Sequence, residues 1–266
     1  MLSVLLKFTK PISRLLAINP RRLVHIFKGW PIFFRDLVRY IKITPDNGRF
    51  YVRYLDLYPV YHDRFESAGE ARGHYFHQDL WAAKEIYCEK PECHVDIGSR
   101  IDGFISHLLV FRNVTVVDVR SLESPVDGLI FKRGDITCLE FDDNSLESIS
   151  CLHALEHIGL GRYGDELNYN GWQEGLKELE RTLKPGGILY LGVPIGRERV
   201  CFNAHRVFDP STICDALGKL ILESFSYVDD FGNYHERVPD FESLPVLEYG
   251  CGLFKFKKEC NYSAKN

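Results

Sequence analysis

His153, Glu156 and His157 follow the apolar run LESISCL and are the side chains best suited to moving a proton. Imidazole titrates near neutral pH and can accept a hydroxyl proton, and a carboxylate close in sequence can orient it. The same three residues would also make an ordinary helix surface. Three acids stand upstream, each beside an apolar segment. Asp96 lies in HVDIGSRIDGF, two residues before Gly98, where an acid suits a cationic ligand group such as an amine or a sulfonium. Asp118 ends VTVVD, with Val119 beside it, 22 residues after Asp96. An acid at that place in an open α/β sheet accepts hydrogen bonds from ribose hydroxyls. Asp135 can accept from an adenine amino group, and Ile136 can cover the ring.

Such groups act together only if strands deliver them to one edge. From Glu92 onward short apolar runs alternate with helical segments: CHVDI, VTVVDV, GLIFKRGD, LESISCL and ILYLGV read as five strands. GWQEGLKELERTL reads as an amphipathic helix stopped by Lys184-Pro185-Gly186-Gly187, and PSTICDALGKL as a helix opened by Pro210 and Ser211. SFSYVDD and CGLFKFKK add two late strands, with no clear helix between them, so an antiparallel edge is expected. This alternation implies a doubly wound, mostly parallel sheet whose ligands lie beyond the carboxyl ends of its strands. Gly98 would open the first turn and let backbone approach a ligand, with Ser99 and Arg100 following it. The spacing from Gly98 to Gly103 matches a phosphate loop, but no Lys-Ser/Thr follows, which excludes a Walker site.

Four elements in order, VDIG, VVDV, GDITCLEFDDNSLESISCLHALEHI and LKPGGILYLGVP, resemble the class I S-adenosylmethionine (SAM)-dependent methyltransferases. The wider set GHYFHQDLWAAKEIY, HVDIGSRIDGFISHL, NAHRVF and GCGLF resembles the DUF268 family, whose bacterial members are associated with surface-polysaccharide synthesis. The resemblance implies a Rossmann-like seven-stranded sheet of order 3-2-1-4-5-7-6 with strand seven antiparallel. It implies SAM as cofactor: Asp96 and Gly98 at the methionine part, Asp118 at the ribose, Asp135 and Ile136 at the adenine, with Ser99, Arg100 and Val119 also among the cofactor-binding residues. His153, beyond the fourth strand, becomes the first candidate for general base, with His157 and His205 as the others. Arg162 and Tyr163 in GLGRYGD, with Asp165 nearby, and Arg206 in CFNAHRVFDP are the expected acceptor contacts, and Tyr75, His77 and Gln78 a lid. The sequence departs from the usual D-x-G-x-G-x-G turn: Arg100 and Asp102 replace two glycines, and Gly103 comes one place late. Two readings therefore stand, an O-methyltransferase acting on a small molecule, sugar or surface-glycan intermediate, and a SAM-fold binding or scaffold protein without turnover.

A chain of 266 residues suits one large domain with an extension, and its net charge of -4 argues against a nucleic-acid partner held by overall attraction to phosphate. Residues 1–44 hold nine Lys or Arg and a single acid, Asp36, a local charge of +8, with apolar residues from Leu5 to Phe27 in roughly helical spacing. Broken helices interrupted by Pro11, Pro20 and Pro31 are expected there. Such a segment either docks on the main domain or contacts an anionic membrane surface from the cytoplasmic side. Residues 45–91, rich in aromatics and histidine, read as a cap or lid, with a helix from His77 to Tyr87, and residues 92–260 as the SAM-binding domain. The eight cysteines include no C-x-x-C pair, so no zinc site and no disulfide framework is expected, and the opening run MLSVLL is too short for a signal peptide.

Overall fold

The computed structural model describes residues 20–46, 48–61, 63–123 and 125–260, so the residues of the basic extension before Pro20 lie outside it. The chain divides after Glu70 into two compact units. The helix His74–Glu89, before the first strand, belongs to the second of these units.

The first unit is built on one helix, α1 (Pro20–Ile43). Pro20 begins it, but Pro31 does not break it. A mid-helix proline removes one hydrogen bond, and aromatic contacts hold the residues on both sides of it. Tyr61 stacks on Trp30 at 6.0 Å between centroids and meets Phe33 edge-on at 5.6 Å. Phe27, Trp30, Phe34, Val38 and Ile41 are exposed, and their spacing puts them on one face of the helix.

The second unit is a three-layer α/β/α structure. Its sheet has eight strands in the order β3-β2-β1-β4-β5-β10-β8-β9: β1 (Val95–Ile97), β2 (Val114–Asp118), β3 (Leu129–Arg133), β4 (Leu146–Leu152), β5 (Leu183–Ile195), β8 (Leu220–Val228), β9 (Tyr234–His235) and β10 (Gly250–Lys258). Strands β1 to β5 are parallel, and β10 runs antiparallel between β5 and β8. The expected seven strands are therefore all present, and short β9 adds an eighth at the edge. The antiparallel end expected of the two late strands is present: β10, the implied antiparallel strand seven, is interior and apolar enough to be buried on both faces, and β9 at the edge pairs antiparallel with β8. A separate hairpin joins β6 (Arg199–Cys201) to β7 (His205–Val207).

Helix α2 (His74–Glu89) covers one face: Trp81, Ala82, Ala83 and Ile86 are buried with Phe104, Ile105 and Leu108 of the turn Ile101–Ile105 and of α3 (Ser106–Leu109). On the other face Leu176 and Leu179 of α4 (Gly171–Thr182) and Ile213 of α5 (Pro210–Ala216) close over β1, β4 and β5. Asp209 caps α5 by accepting from Ser211 N at 2.9 Å, with Pro210 in the first turn. Helix α4 stops at Thr182, one residue short of the expected end and just before Lys184-Pro185-Gly186-Gly187, which lies in β5. The pairing with β4 slips between Leu146 and Ser148, and this irregularity accommodates a proline that lacks an N–H.

Candidate active site

The carboxyl ends of β1, β2 and β4 open onto one cleft, lined by Gly98, Asp118, Val119, Ile136, His153, His157 and Tyr163 among others. Its floor depends on Gly98, whose φ of +74° favours glycine and whose added Cβ would lie 2.9 Å from Ala154 Cβ. Asp118 ends β2 as expected, but both of its oxygens are taken: Arg120 donates from its backbone N (2.8 Å) and Nε (2.9 Å) to Oδ1 and from Nη2 to Oδ2 (2.6 Å). The same guanidinium stands 4.7 Å from the Tyr163 ring, so Arg120 spans the cleft from wall to wall.

Not every expected residue reaches this cleft. Asp96 is fully buried beneath it, accepting from Ser99 N (3.0 Å), Ser99 Oγ (2.6 Å) and Ser150 Oγ (2.5 Å). Ser150 in turn meets His94 Nε2 at 3.0 Å, and Ser148 meets His94 Nδ1 at 2.8 Å. This chain ties β1 to β4. Burial pushes Asp96 up to about 6, against the pull of its Ser150 and Ser99 hydrogen bonds, and pushes His94 down to about 3. Asp96 is thus an internal acid rather than a residue facing the methionine part of a ligand. Ser99 is buried with it, while Arg100 pairs with Asp102 at 3.0 Å and lies 4.8 Å from the Tyr75 ring. Asp135 is exposed and spends Oδ1 on the N and Oγ1 of Thr137, both at 2.8 Å, leaving Ile136 alone of that pair on the cleft wall.

At the end of β4, His153 has a φ of 51°, a conformation that non-glycine residues adopt when the surroundings impose it. Its N donates to Gly192 O at 2.8 Å, and Nδ1 meets Glu156 Oε1 at 2.8 Å. The two side chains are only 4% and 2% exposed, and His153 Nε2 and Glu156 Oε2 have no hydrogen-bond partner. Burial alone would depress His153, but the Cys251 sulfur and the Glu156 carboxylate outweigh it and hold the imidazole well above its usual value. Its Nδ1 is thus committed to Glu156, and Nε2 is the nitrogen left to act. His157 is the converse: burial lowers its pKa, Nδ1 lies 2.6 Å from Ala204 O and 3.2 Å from Arg162 Nη1, and Nε2 lies 3.6 Å from Glu156 Oε1. His205, also lowered by burial, sits against the Tyr249 ring at 4.9 Å. Tyr75 (5.1 Å) and His74 (5.5 Å) flank the His153 ring, whereas His77 stacks on Tyr234 and Gln78 is buried in the core.

The expected acceptor arginines are engaged by backbone. Arg206 donates to Ile158 O at 2.6 Å and lies near Asn168 O and Tyr169 O at 3.5 and 3.4 Å, so it clamps the insertion after β4 instead of facing an acceptor. Arg162 donates to Ala204 O at 2.8 Å, and Asp165 accepts from the N of Gly159, Gly161 and Tyr163. These bonds fold GLGRYGD into a wall, with Tyr163 on the cleft side.

Strand order, the antiparallel β10 and the position of the cleft decide the architecture. This is the class I methyltransferase fold. A DUF268 family model, described as a Caenorhabditis protein of unknown function, matches residues 139–249. Among solved structures, the [4+2]-cyclase SpnF is similar at a TM-score of 0.50 and 14% identity, covering 72% of this chain and 86% of that one. A Burkholderia thailandensis 1,6-didemethyltoxoflavin-N1-methyltransferase with bound S-adenosylhomocysteine has a TM-score of 0.49 at 14% identity, over 69% of this chain and 79% of that one. A SAM-dependent methyltransferase from Clostridium acetobutylicum has 0.47 at 13%, over 70% and 92%. None of the curated proteins matches the chain in sequence.

Proposed function

We propose that the protein binds SAM in the cleft between Gly98 and Ile136 and transfers its methyl group to a hydroxyl of a sugar or glycan intermediate. The observation that carries this reading is the convergence of Gly98, Asp118, Ile136 and His157 on one cleft at the carboxyl ends of the parallel strands. The methionine part would lie over the Gly98 turn, the ribose on Asp118 and the adenine against Ile136 and Val119. Methyl transfer is an in-line displacement, so the protein's work is to align the acceptor oxygen and exclude water. His157 Nε2 is the group that would take the hydroxyl proton, in the tautomer in which Nδ1 donates to the Ala204 carbonyl, the shorter of its two contacts. The glycan acceptor follows from the DUF268 resemblance, not from any residue of the site.

One observation favours the alternative, a binding protein without turnover: Arg120 already occupies the carboxylate that a ribose would need. Calorimetry with S-adenosylhomocysteine tests both. Asp118→Ala should weaken binding by about 1–3 kcal/mol, the cost of leaving ribose hydroxyls unpaired. Arg120→Ala, which frees the carboxylate, should strengthen it. No binding by the wild-type chain refutes the site, and binding without methyl transfer to any of a panel of nucleotide-sugars favours the alternative.

The partner of the first unit is a separate proposal. The exposed stripe Phe27, Trp30, Phe34, Val38 and Ile41 of α1 runs beside Lys28, Arg35, Arg39 and Lys42, an arrangement suited to the surface of an anionic membrane. No helix among the described residues is long and apolar enough to cross a membrane.

A further inference from the structure

Three donors from distant parts of the chain meet beside the cleft. His74 begins α2, His153 follows β4 and Cys251 lies in β10, and their ligating atoms are all within 4.8 Å of one another. His153 offers Nε2, because Glu156 holds Nδ1. That nitrogen is buried and makes no hydrogen bond of good geometry, its neighbour being the Cys251 sulfur within 4.8 Å, an arrangement that costs stability unless something occupies it. The Cys251 sulfur is buried and has only long contacts, 3.8 Å to Gln78 Oε1 and 3.9 Å to Gly252 O. His74 also hydrogen-bonds the Tyr249 backbone.

We infer that His74, His153 and Cys251 form a site for a divalent transition-metal ion of the zinc class, with Glu156 as the carboxylate that orients His153. Two imidazoles and a thiolate are the donor types such an ion prefers. A carboxylate on the far nitrogen of a ligating histidine is the usual outer support. A dication would offset the charge on Cys251 as it gives up its proton on binding, and that of the Glu156 carboxylate beside His153. The geometry is close to what is needed. Bonds of roughly 2.0–2.3 Å in a tetrahedron set donors about 3.3–3.6 Å apart, so the three must draw in by about an ångström. Two ligating rings would then have centroids roughly 5 Å apart, and those of His74 and His153 are 5.5 Å apart. Three protein ligands leave one position open, as in catalytic rather than structural sites. The site itself does not rest on the cofactor reading. Only the use of the open position does: an acceptor hydroxyl bound there would lose its proton more readily.

The test is cobalt titration of the full chain after stripping with a chelator. One equivalent of Co²⁺ should bind, with a near-ultraviolet thiolate-to-cobalt charge-transfer band and the visible bands of a four-coordinate centre, and Zn²⁺ should displace it. Cys251→Ser should abolish the charge-transfer band, and Glu156→Gln should weaken affinity about 10–100-fold. His74→Gln changes a half-buried residue and should also weaken uptake, so it serves if Cys251→Ser fails to fold by circular dichroism. Folded wild-type protein that takes up no stoichiometric metal, or a charge-transfer band that persists in Cys251→Ser, overturns the site. Binding of S-adenosylhomocysteine is measured separately on metal-free protein, so failure of one reading is distinguishable from failure of the other.

Discussion

Asp96→Asn separates an internal acid from a cofactor-binding one. In the folded protein burial raises this carboxyl from 3.8 to about 6. Each tenfold change in proton affinity is 1.36 kcal/mol, so holding Asp96 ionised at neutral pH destabilises the fold by about 3 kcal/mol. The direction follows from which state holds the proton. The folded state binds it more tightly than the unfolded state, so the stabilisation is complete below about pH 4 and is lost as pH rises through 6. Asparagine keeps an acceptor for Ser99 N but turns an amide toward the Ser99 and Ser150 hydroxyls, and each mismatched hydrogen bond costs about 0.5–1.5 kcal/mol. The variant should therefore be more stable than wild type at pH 8, by up to about 2 kcal/mol. In urea titrations the difference between the two proteins should shrink as pH falls from 7 to 4. Parallel pH profiles would refute the internal-acid reasoning. So would a loss of S-adenosylhomocysteine affinity as large as that of Asp118→Ala, which would put Asp96 against the ligand.

Gly98→Ala should destabilise the second unit by about 1–3 kcal/mol in urea, through the forced left-handed backbone and the contact with Ala154, and should weaken cofactor binding with it; wild-type stability would show that the turn relaxes. With an acceptor in hand, His157→Ala should lower kcat by about 10²–10⁴-fold with cofactor affinity nearly unchanged, and a change within about threefold would remove His157 as the base. Anionic vesicles should bind the chain in a manner that weakens steeply with salt, because attraction at the surface is screened over about 8 Å at physiological ionic strength. Reversing Lys28, Arg35, Arg39 and Lys42 to Glu should abolish that binding, and persistence would leave the stripe without a membrane role.

Local pattern determined the strands of the second unit. VTVVD, LESISCL and GCGLFKFKK are short, apolar and bounded by turn residues, and they form β2, β4 and β10 with few changes of boundary. The same order put Gly98, Asp118 and Ile136 at the carboxyl edge, because in a parallel sheet every strand delivers its end to the same side. What the sequence could not decide was where each polar side chain found its partner. Asp96 looks like a ligand-facing acid until Ser99 and Ser150 are seen closing around it. Arg206 looks like an acceptor contact until three carbonyls appear within its reach. Pro31 reads as a helix breaker, and only the aromatic contacts of Tyr61 with Trp30 and Phe33 explain why α1 continues through it. The clearest case is Cys251. Zinc spacing in a sequence reports ligands that share one local segment, and none exists here. His74, His153 and Cys251 are separated by 79 and 98 residues and become neighbours because α2 packs against the sheet in which β10 lies near β4, separated from it only by β5. Side-chain pairing of this kind is set by long-range packing, which carries no local signature.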